Sequence, residues 1–407
     1  MASLFIRAIS LSTLLAFFSP GVFASDLFTV TLITNPGQSS ELSQTINISN
    51  AEDAIRQFDN DQFVNYFGSS FDPNTTPIQA NIDFRGLPIV LVSDGTNINL
   101  AIQSIELNKT FTGTSRDQSL NQLVNFFESD GGALLDKIQK ELAAASPVDP
   151  VAGNPTSLQS SLVSSTFSEN AFDTSSVGQT TSQTKSSADE VGNVLKIGLS
   201  AGRFSSANIS GTSIPLSLGY TFRSSSNPER QLKLSMPLQL VMINDARIYS
   251  AGLGLTFRLP VTRQWAISPG VLWGAAGSVD AASAAQMLSY SMTSQYKFNL
   301  SKMSVTIGNM VGKTQTLKFK MGNYSSNPDI NNVVYRNGFQ AELPAGFHLF
   351  GTDCSAEFSV VNTSYTGDAL YLKNYNDVAV SLGRQHVEGA GLLNYLRAGL
   401  TLSLIHI

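Results

Sequence analysis

The sequence predicts a mainly β fold: an antiparallel transmembrane β-barrel of about 12 strands preceded by a small α+β domain. Three observations favour this class. Only 14% of the 407 residues are charged, against about 25% in an ordinary soluble domain. Long segments of 194–407 alternate between apolar and polar side chains. The N-terminus has the layout of an export signal.

Neutral residues take the place of charged side chains in this sequence, and its single cysteine excludes several kinds of site. Hydrophobic residues make up an ordinary 42%, while Gly, Ser, Thr, Asn and Gln replace charged side chains. The single cysteine, Cys354, excludes a disulfide framework, a cysteine zinc site and an iron–sulfur cluster within these residues. We expect Cys354 to be a small buried residue. The net charge of −5 disfavours nucleic acid as a partner.

Residues 1–24 are typical of a secretory signal peptide. Arg7 precedes an apolar run over 8–18, and Val22 and Ala24 occupy the positions that precede a cleavage site. The run is shorter than the roughly 20 residues that a spanning helix needs. Because no later stretch is apolar enough for such a helix, we expect an exported chain without a transmembrane helix.

Residues 25–145 predict a small α+β domain. Short alternating segments such as 27–34 indicate strands. Capping boxes at 49–52 and 115–118 precede apolar residues at helical spacing and indicate helices. The sequence therefore predicts a compact domain ahead of the alternating region.

Residues 146–193 differ in composition from both neighbouring regions. Pro, Ser, Thr, Gly and Asn dominate, and pairs of Ser or Thr recur. Such a segment buries too little apolar surface to offset the entropy cost of ordering it. The sequence predicts a flexible linker.

Residues 194–407 alternate at period two over lengths that are typical of membrane-spanning strands. In 214–222, 232–242 and 249–259 every second residue is apolar. Soluble strands average about 5–6 residues, a spanning strand needs about 9–11, and only a closed barrel leaves no unpaired edge in lipid. We expect a bacterial outer-membrane β-barrel over 194–407, with a soluble β-sandwich or jelly roll as the alternative.

The strand count is open at one place. Twelve segments can be counted, in keeping with the even numbers of bacterial single-chain barrels. After Gly312, however, the connections do not alternate between short and long. Either 302–321 is one long strand, or 344–350 belongs to a strand that the pattern splits. The expectation is twelve strands, with ten as the next choice.

Trp265 and Trp273 favour the membrane interpretation. Both lie on one face of the same predicted strand, about 26 Å apart at about 3.3 Å per residue. In outer-membrane barrels two aromatic girdles flank an apolar band about 25 Å tall. The spacing predicts one tryptophan at each girdle.

The last predicted strand, 396–404, resembles the C-terminal targeting strand of bacterial outer-membrane β-barrels. Arg397, Gly399, Leu402 and Leu404 fill the polar, glycine and hydrophobic positions of that pattern, although the chain lacks the usual terminal aromatic residue. The resemblance implies recognition of this strand by the outer-membrane assembly machinery. The order of signal, domain, linker and barrel resembles a monomeric autotransporter, which implies a barrel that accompanies an N-terminal domain to the cell surface.

The two halves of the mature chain carry opposite charge. Residues 25–194 contain 7 basic and 20 acidic residues, and 195–407 contain 17 basic and 10 acidic residues. Glu342 and Glu357 share the polar phase of the barrel strands with eight basic residues, namely Lys196, Lys233, Arg258, Lys297, Lys318, Lys320, Arg336 and Arg397. Because basic rings favour anions, we expect a cationic lumen that passes small anions or holds the acidic N-terminal region as a plug. Charges in loops or in ion pairs are the alternative.

The sequence contains no constellation that is typical of an enzyme. His348, His386 and His406 lie outside any recognisable catalytic motif, and no metal or dinucleotide motif is complete. We expect no enzymatic activity, no cofactor and no metal.

The sequence predicts an outer-membrane pore or translocator. Its expected partners are outer-membrane lipid, the assembly machinery and small anions. The second hypothesis is an autotransporter-like surface protein that displays its N-terminal domain as a binding or adhesion module. The third is a secreted, soluble, β-rich structural protein.

Overall fold

The computed structural model describes residues 27–405 with gaps at 74, 127–131, 173–192, 200, 207–208, 301–302, 322–323, 350–351 and 385–396. The chain is mainly β, with a small β/α domain ahead of a nearly closed antiparallel barrel. The predicted mainly β fold, with an antiparallel barrel after a small domain, is confirmed. The predicted signal peptide, 1–24, lies outside the described residues.

The N-terminal domain is built on a six-stranded antiparallel sheet. Its strands are β1 (Phe28–Thr34), β2 (Leu42–Ile48), β3 (Ile78–Phe84), β4 (Leu87–Ser93), β5 (Ile98–Ile102) and β6 (Leu107–Phe111), in the spatial order β2-β1-β3-β4-β5-β6. Its helices are α1 (Ala51–Arg56), α2 (Asn60–Phe67), α3 (Arg116–Asn125) and α4 (Gly132–Ala145). Short 3-10 turns follow at Gly68–Ser70 and Gln103–Ile105.

Local signals in the sequence explain these elements. Asp59 caps α2 by accepting a hydrogen bond from the Asp61 N–H, and Ser115 caps α3 by accepting one from Gln118. Alternate residues of the strands face the core, which also takes up one face of the helices. Core members include Phe28, Leu32, Phe58, Phe63, Ile78 and Leu100.

The barrel sheet contains twelve strands. They are β7 (Val194–Leu199), β8 (Gly202–Ser206), β9 (Ile209–Arg223), β10 (Gln231–Ile243), β11 (Ala246–Pro260), β12 (Trp265–Ser278), β13 (Ser283–Asn299), β14 (Ser304–Leu317), β17 (Asn331–Leu349), β18 (Thr352–Gly367), β19 (Asn374–Arg384) and β20 (Arg397–Ile405). The spatial order is β20-β19-β18-β17-β14-β13-β12-β11-β10-β9-β7, and β8 also pairs with β9. The strands β15 (Phe319–Met321) and β16 (Tyr324–Ser326) form a separate hairpin.

The twelve strands occupy eleven positions because β7 and β8 both pair with β9. Segments 302–311 and 315–321, counted separately in the sequence, do not form two barrel strands, because β14 continues through both the first segment and the start of the second. β17 continues to Leu349 through a register shift after Pro344, so 344–349 belongs to that strand. The number of strand positions is therefore eleven, where the sequence predicted twelve. With eleven antiparallel positions, the end strands β7 and β20 run in the same direction.

A helix, α5 (Leu158–Ala171), lies inside the barrel and packs against β10 to β14 and β17. Most of its residues are buried. The predicted flexible linker is therefore wrong over 146–171, while 173–192 lies outside the described residues. A Ser- and Thr-rich helix of this length is marginal in water, and the enclosing barrel wall supplies the packing that stabilises it.

The two rims of the barrel differ in what covers them. The N-terminal domain covers one rim, here called the domain rim, where the Ala51 N–H donates a 2.9 Å hydrogen bond to the Asp280 carbonyl. At the same rim Lys140 forms a 2.8 Å ion pair with Asp368. The opposite, far rim carries the turns at 224–230 and 261–264. Strand β7 begins at the far rim, since Val194 pairs with Thr221.

Candidate functional site

Four glycines of the barrel wall, the glycine seat, make room for α5. Gly252 and Gly274 oppose each other on β11 and β12, and Gly308 and Gly338 oppose each other on β14 and β17. A Cβ atom at Gly252 or Gly274 would lie 2.9 Å from the Leu162 side chain. The helix therefore fills the space that wall side chains would otherwise occupy.

The same steric fit continues towards the far rim. A Cβ atom at Gly308 would lie 2.5 Å from the Ala171 Cβ, and one at Gly338 would lie 2.6 Å from the Phe172 ring. Such distances are far below ordinary van der Waals contact. The wall and the helix are thus matched in shape along the whole length of α5.

Polar contacts set the position of the first turn of α5. The Ser157 hydroxyl caps the helix by accepting a hydrogen bond from the Ser160 N–H. The Gln159 amide Nε2 donates to Thr314 Oγ1 at 2.9 Å and to Asn332 Oδ1 at 3.0 Å, both in the wall near the domain rim. These directional bonds fix the helix along the barrel axis.

Basic and amide side chains of the wall bind the C-terminal end of α5. The Lys233 ammonium donates a 2.6 Å hydrogen bond to the Glu169 carbonyl, and Gln295 Nε2 donates a 2.8 Å bond to the Ala171 carbonyl. Arg258 in turn donates to Gln295 Oε1. The last carbonyls of a helix lack intrahelical donors and carry its negative dipole end. The wall supplies both donors and positive charge at that end.

Arg336 contacts both the wall and the helix. Its guanidinium donates to Thr363 Oγ1 at 2.8 Å and forms a 3.0 Å ion pair with Asp377. The Phe167 ring of α5 lies 5.4 Å from the guanidinium carbon, at cation–π distance. Part of the basic charge predicted for the lumen is therefore used to hold the helix.

The eight predicted lumen residues fall into three groups. Four are buried inside the barrel, namely Lys233, Arg258, Lys297 and Arg336. Lys196 and Arg397 lie on the lumen phase of β7 and β20, but their side chains lie outside the described residues. For Lys318 and Lys320 the prediction is wrong, because β14 ends at Leu317 and both lysines are exposed at the β15–β16 hairpin.

The outward face of the barrel is apolar and exposed. Large exposed side chains cover it from β9 to β20, among them Phe222, Leu234, Leu253, Phe257, Tyr290, Ile307, Tyr335, Phe358, Leu382 and Leu400. Leu402 and Leu404 of the predicted targeting strand lie on this face. The buried face of the same strands carries Ser, Thr, Gln and the basic residues described above.

Both tryptophans lie on the outward face of β12. Trp265 Nε1 donates to Ser294 Oγ at 2.9 Å, and Trp273 Nε1 donates to Gln286 Oε1 at 3.0 Å. Trp265 pairs in register with Tyr296, whose ring packs against Phe298 at 4.5 Å. An aromatic cluster thus lies near the far rim, and Trp273 lies eight residues closer to the domain rim.

A buried ion pair holds the segment that leads from the domain into the lumen. Arg85 Nη1 lies 3.3 Å from Asp149 Oδ2, and both side chains are almost fully buried. The other carboxylate oxygen accepts from the Val151 and Ala152 N–H groups. Burial raises the pKa of Asp149, and this effect outweighs the lowering by Arg85 and the backbone donors.

The residues considered for catalysis or metal binding lie apart in the described part of the chain. It contains no group of three or more His, Cys, Asp and Glu side chains that could hold a metal ion. His348 lies 2.6 Å from Asp353 in an exposed pair, and Cys354 is buried as expected. His386 and His406 lie outside the described residues.

No protein-family model and no curated protein matches the chain. Among the described helices, none is long and apolar enough to cross a membrane.

Sequence reasoning missed α5 and the glycine seat. Two signals were present: Leu158 and Leu162 lie one helical turn apart, and Phe167 lies near the end of the same stretch. Glycines recur on the polar phase of four barrel strands. Their role is visible only in the structure, where the helix packs against them and leaves no room for a Cβ atom.

Proposed function

We propose that this protein is a bacterial outer-membrane β-barrel that acts as a pore or translocator and is closed at rest by its own helix α5. The observation that carries this proposal is the combination of an exposed apolar outward face with a helix fitted into the lumen. In water such a face would remain exposed over many strands. In lipid the same face would be buried.

The arrangement of aromatic residues supports insertion in a bilayer. Trp265 and Trp273 lie on the outward face at a spacing that suits two interfacial girdles. Leu402 and Leu404 lie on the outward face of β20, which is where a membrane-facing targeting strand would present them to lipid and to the assembly machinery.

The lumen contacts support closure by α5. Lys233 and Gln295 bind the end of the helix, and Gln159 binds its start. With α5 withdrawn, the wall would expose its basic residues to water, and we expect the open form to prefer small anions. Reversal potentials that report cation preference would contradict this part of the proposal.

Membrane fractionation tests the proposal. We expect the full-length protein in the outer-membrane fraction, with a gel mobility that changes on heating because a folded barrel resists detergent. Recovery in the soluble fraction without heat-modifiable mobility would overturn the proposal and favour a secreted β-rich structural protein.

A second candidate is an autotransporter-like protein that displays its N-terminal domain as a binding or adhesion module. One observation favours it: the domain lies at the domain rim, whereas β7 begins at the far rim, so the chain passes through the lumen. Protease treatment of intact cells tests display. Cleavage within 27–145 is expected for a displayed domain, and protection of this region until the cells are lysed would favour a periplasmic domain.

A further inference from the structure

A row of four asparagines crosses the outward face of the barrel. The four residues are direct partners in the register of the neighbouring strands β14, β17, β18 and β19, namely Asn309, Asn337, Asn362 and Asn376. We call them the asparagine row. Three of them are exposed, and Asn362 is half-buried. The row therefore interrupts a face that is otherwise largely apolar.

Two members of the row lie among apolar side chains in the interior of their strands. The residues two positions before and after Asn309 and Asn337 are large, apolar and exposed, namely Ile307, Val311, Tyr335 and Phe339. Because every second residue of a strand faces the same side, both asparagines face outward with these neighbours. In a bilayer Asn309 and Asn337 would lie inside the apolar band and not only at its edge.

Only part of the row has hydrogen-bond partners within one chain. Asn362 Nδ2 donates to Asn374 Oδ1 at 2.8 Å and to Asn376 Oδ1 at 2.9 Å. Asn309 and Asn337 make no side-chain hydrogen bond to another described residue. Each amide has two N–H donors and an acceptor oxygen, and hydrocarbon satisfies none of them. The row therefore needs a polar partner at the same depth in the bilayer.

We propose that the asparagine row is the interface through which two copies of this chain form a two-fold dimer in the membrane. The inference rests on the proposed function, because only a lipid environment deprives these amides of water. A second copy inserted in the same orientation carries its own row at the same depth. Asparagine is both donor and acceptor, so two identical rows can pair with each other.

A two-fold axis along the membrane normal determines which residues meet. Barrel strands are tilted, so a row that runs across them is inclined to the membrane plane, and the rows of two facing copies cross. Close to the axis a residue meets its own copy. Asn337 is one of the two middle members of the row, and we expect it near the crossing. The exposed rings of Tyr335 and Phe339 would pack across the same interface, as aromatic residues do in protein–protein contacts.

Sedimentation equilibrium of the full-length protein in a density-matched detergent measures the dimer. We expect a dimer for the wild type and at least tenfold weaker dimerisation for the double variant Asn309→Leu/Asn337→Leu, which removes two amides from each copy. Leucine suits a lipid-facing position, so the double variant should keep its heat-modifiable mobility. Asn299→Leu is the matched control, because Asn299 is exposed at the end of β13, outside the row. It should dimerise as the wild type does.

Oxidative crosslinking in lipid vesicles tests the two-fold arrangement. Asn337→Cys should form disulfide-linked dimers, because a residue near a two-fold axis approaches its own copy. Leu234→Cys is the control, since Leu234 is an outward residue, 44% exposed, on β10, five strand positions from β17 in the sheet. The wild-type chain is the blank, because its Cys354 is buried.

The outcomes separate this inference from the proposed function. A folded wild-type protein that stays monomeric, or a folded double variant that dimerises as the wild type does, overturns the dimer alone. Equal crosslinking of Leu234→Cys and Asn337→Cys would also overturn the interface. Recovery of the wild-type protein in the soluble fraction without heat-modifiable mobility would contradict the barrel in the membrane instead.

Discussion

The Lys233 ammonium, on the wall of the barrel, donates a 2.6 Å hydrogen bond to the backbone carbonyl of Glu169, near the C-terminal end of the helix in the lumen. This contact joins the basic barrel wall to the helix that fills the lumen. A basic residue at the polar phase of a barrel strand is directed at the negative end of a helix dipole, so its charge stabilises the closed state. The basic side chains of the wall therefore help to hold the helix in the lumen.

Gly308→Ala should destabilise the closed barrel. The new Cβ would lie 2.5 Å from the Ala171 Cβ, and overpacking of this kind costs about 1–3 kcal/mol. Guanidinium unfolding in detergent, followed by tryptophan fluorescence, measures the change. Ala171→Gly in the same chain should restore part of the loss, since it removes the clashing atom. Gly277→Ala is the control, because its nearest neighbours lie at 3.9 Å; equal effects at both glycines would contradict the seat.

Arg85→Met should cost far more stability than Lys140→Met. Removing Arg85 leaves the Asp149 carboxyl buried without its partner, which costs about 3–5 kcal/mol for a buried pair. Lys140 and Asp368 are 41% and 25% exposed, so breaking their pair should cost about 0–1 kcal/mol. Unfolding free energies of both variants test the difference, and similar losses would show that the buried pair does not hold the segment at 146–157.

The free energy of unfolding of the closed form should depend on the protonation of Asp149. Burial raises the pKa of Asp149 above its ordinary 3.8, so the native state binds more protons than the unfolded state. The stability that this group contributes is fully present below its ordinary pKa and is lost as the pH rises through the raised pKa of the folded state. Asp149→Asn should flatten this decline in unfolding titrations that run upward from the ordinary pKa of 3.8. An unchanged pH profile in the variant would contradict the assignment.

Asp368 should act with the opposite sign in a lower pH range. Burial alone would raise its pKa, but hydrogen bonds from Lys140 and the Asn331 N–H lower it below 3.8. Its contribution is therefore present above its ordinary pKa and is lost as the pH falls through the lowered one. Asp149 and Asp368 can therefore be told apart in the same unfolding titration, because their contributions to stability change with pH in opposite directions.

Each tryptophan should contact lipid near a membrane interface. The chain has two tryptophans, so Trp273→Phe reports on Trp265 alone and Trp265→Phe on Trp273 alone. In vesicles with brominated lipids, both single-tryptophan variants should be quenched more by bromine near the carbonyl groups than by bromine at the bilayer centre. Fluorescence that no brominated lipid quenches would place the outward face in water.

Much of the barrel could be predicted from its alternation. Period two over spanning lengths assigns each side chain to one face, and the structure has Leu253, Phe257 and Trp273 outward and Lys233 and Arg258 inward as expected. Local alternation says less about where strands end. The alternation continues past Leu317, although the chain leaves the barrel there for the β15–β16 hairpin, and so it wrongly predicts that Lys318 and Lys320 face the lumen.

The plug could not be predicted from local pattern because its stability is not local. Ser- and Thr-rich residues between 157 and 171 have weak helix propensity, and composition favours a linker. The helix is stabilised by the glycine seat, by Lys233 and by Gln295, all distant in sequence. Only the closure of the sheet brings these residues around α5.

Planar-bilayer conductance tests the central claim most directly. We expect the full-length protein to be closed most of the time, and a variant without residues 25–190 that retains heat-modifiable mobility to form a steady, anion-preferring pore. The difference follows from removal of α5 and its contacts with Lys233 and Gln295. Equal conductance of the two folded proteins would contradict closure by the helix.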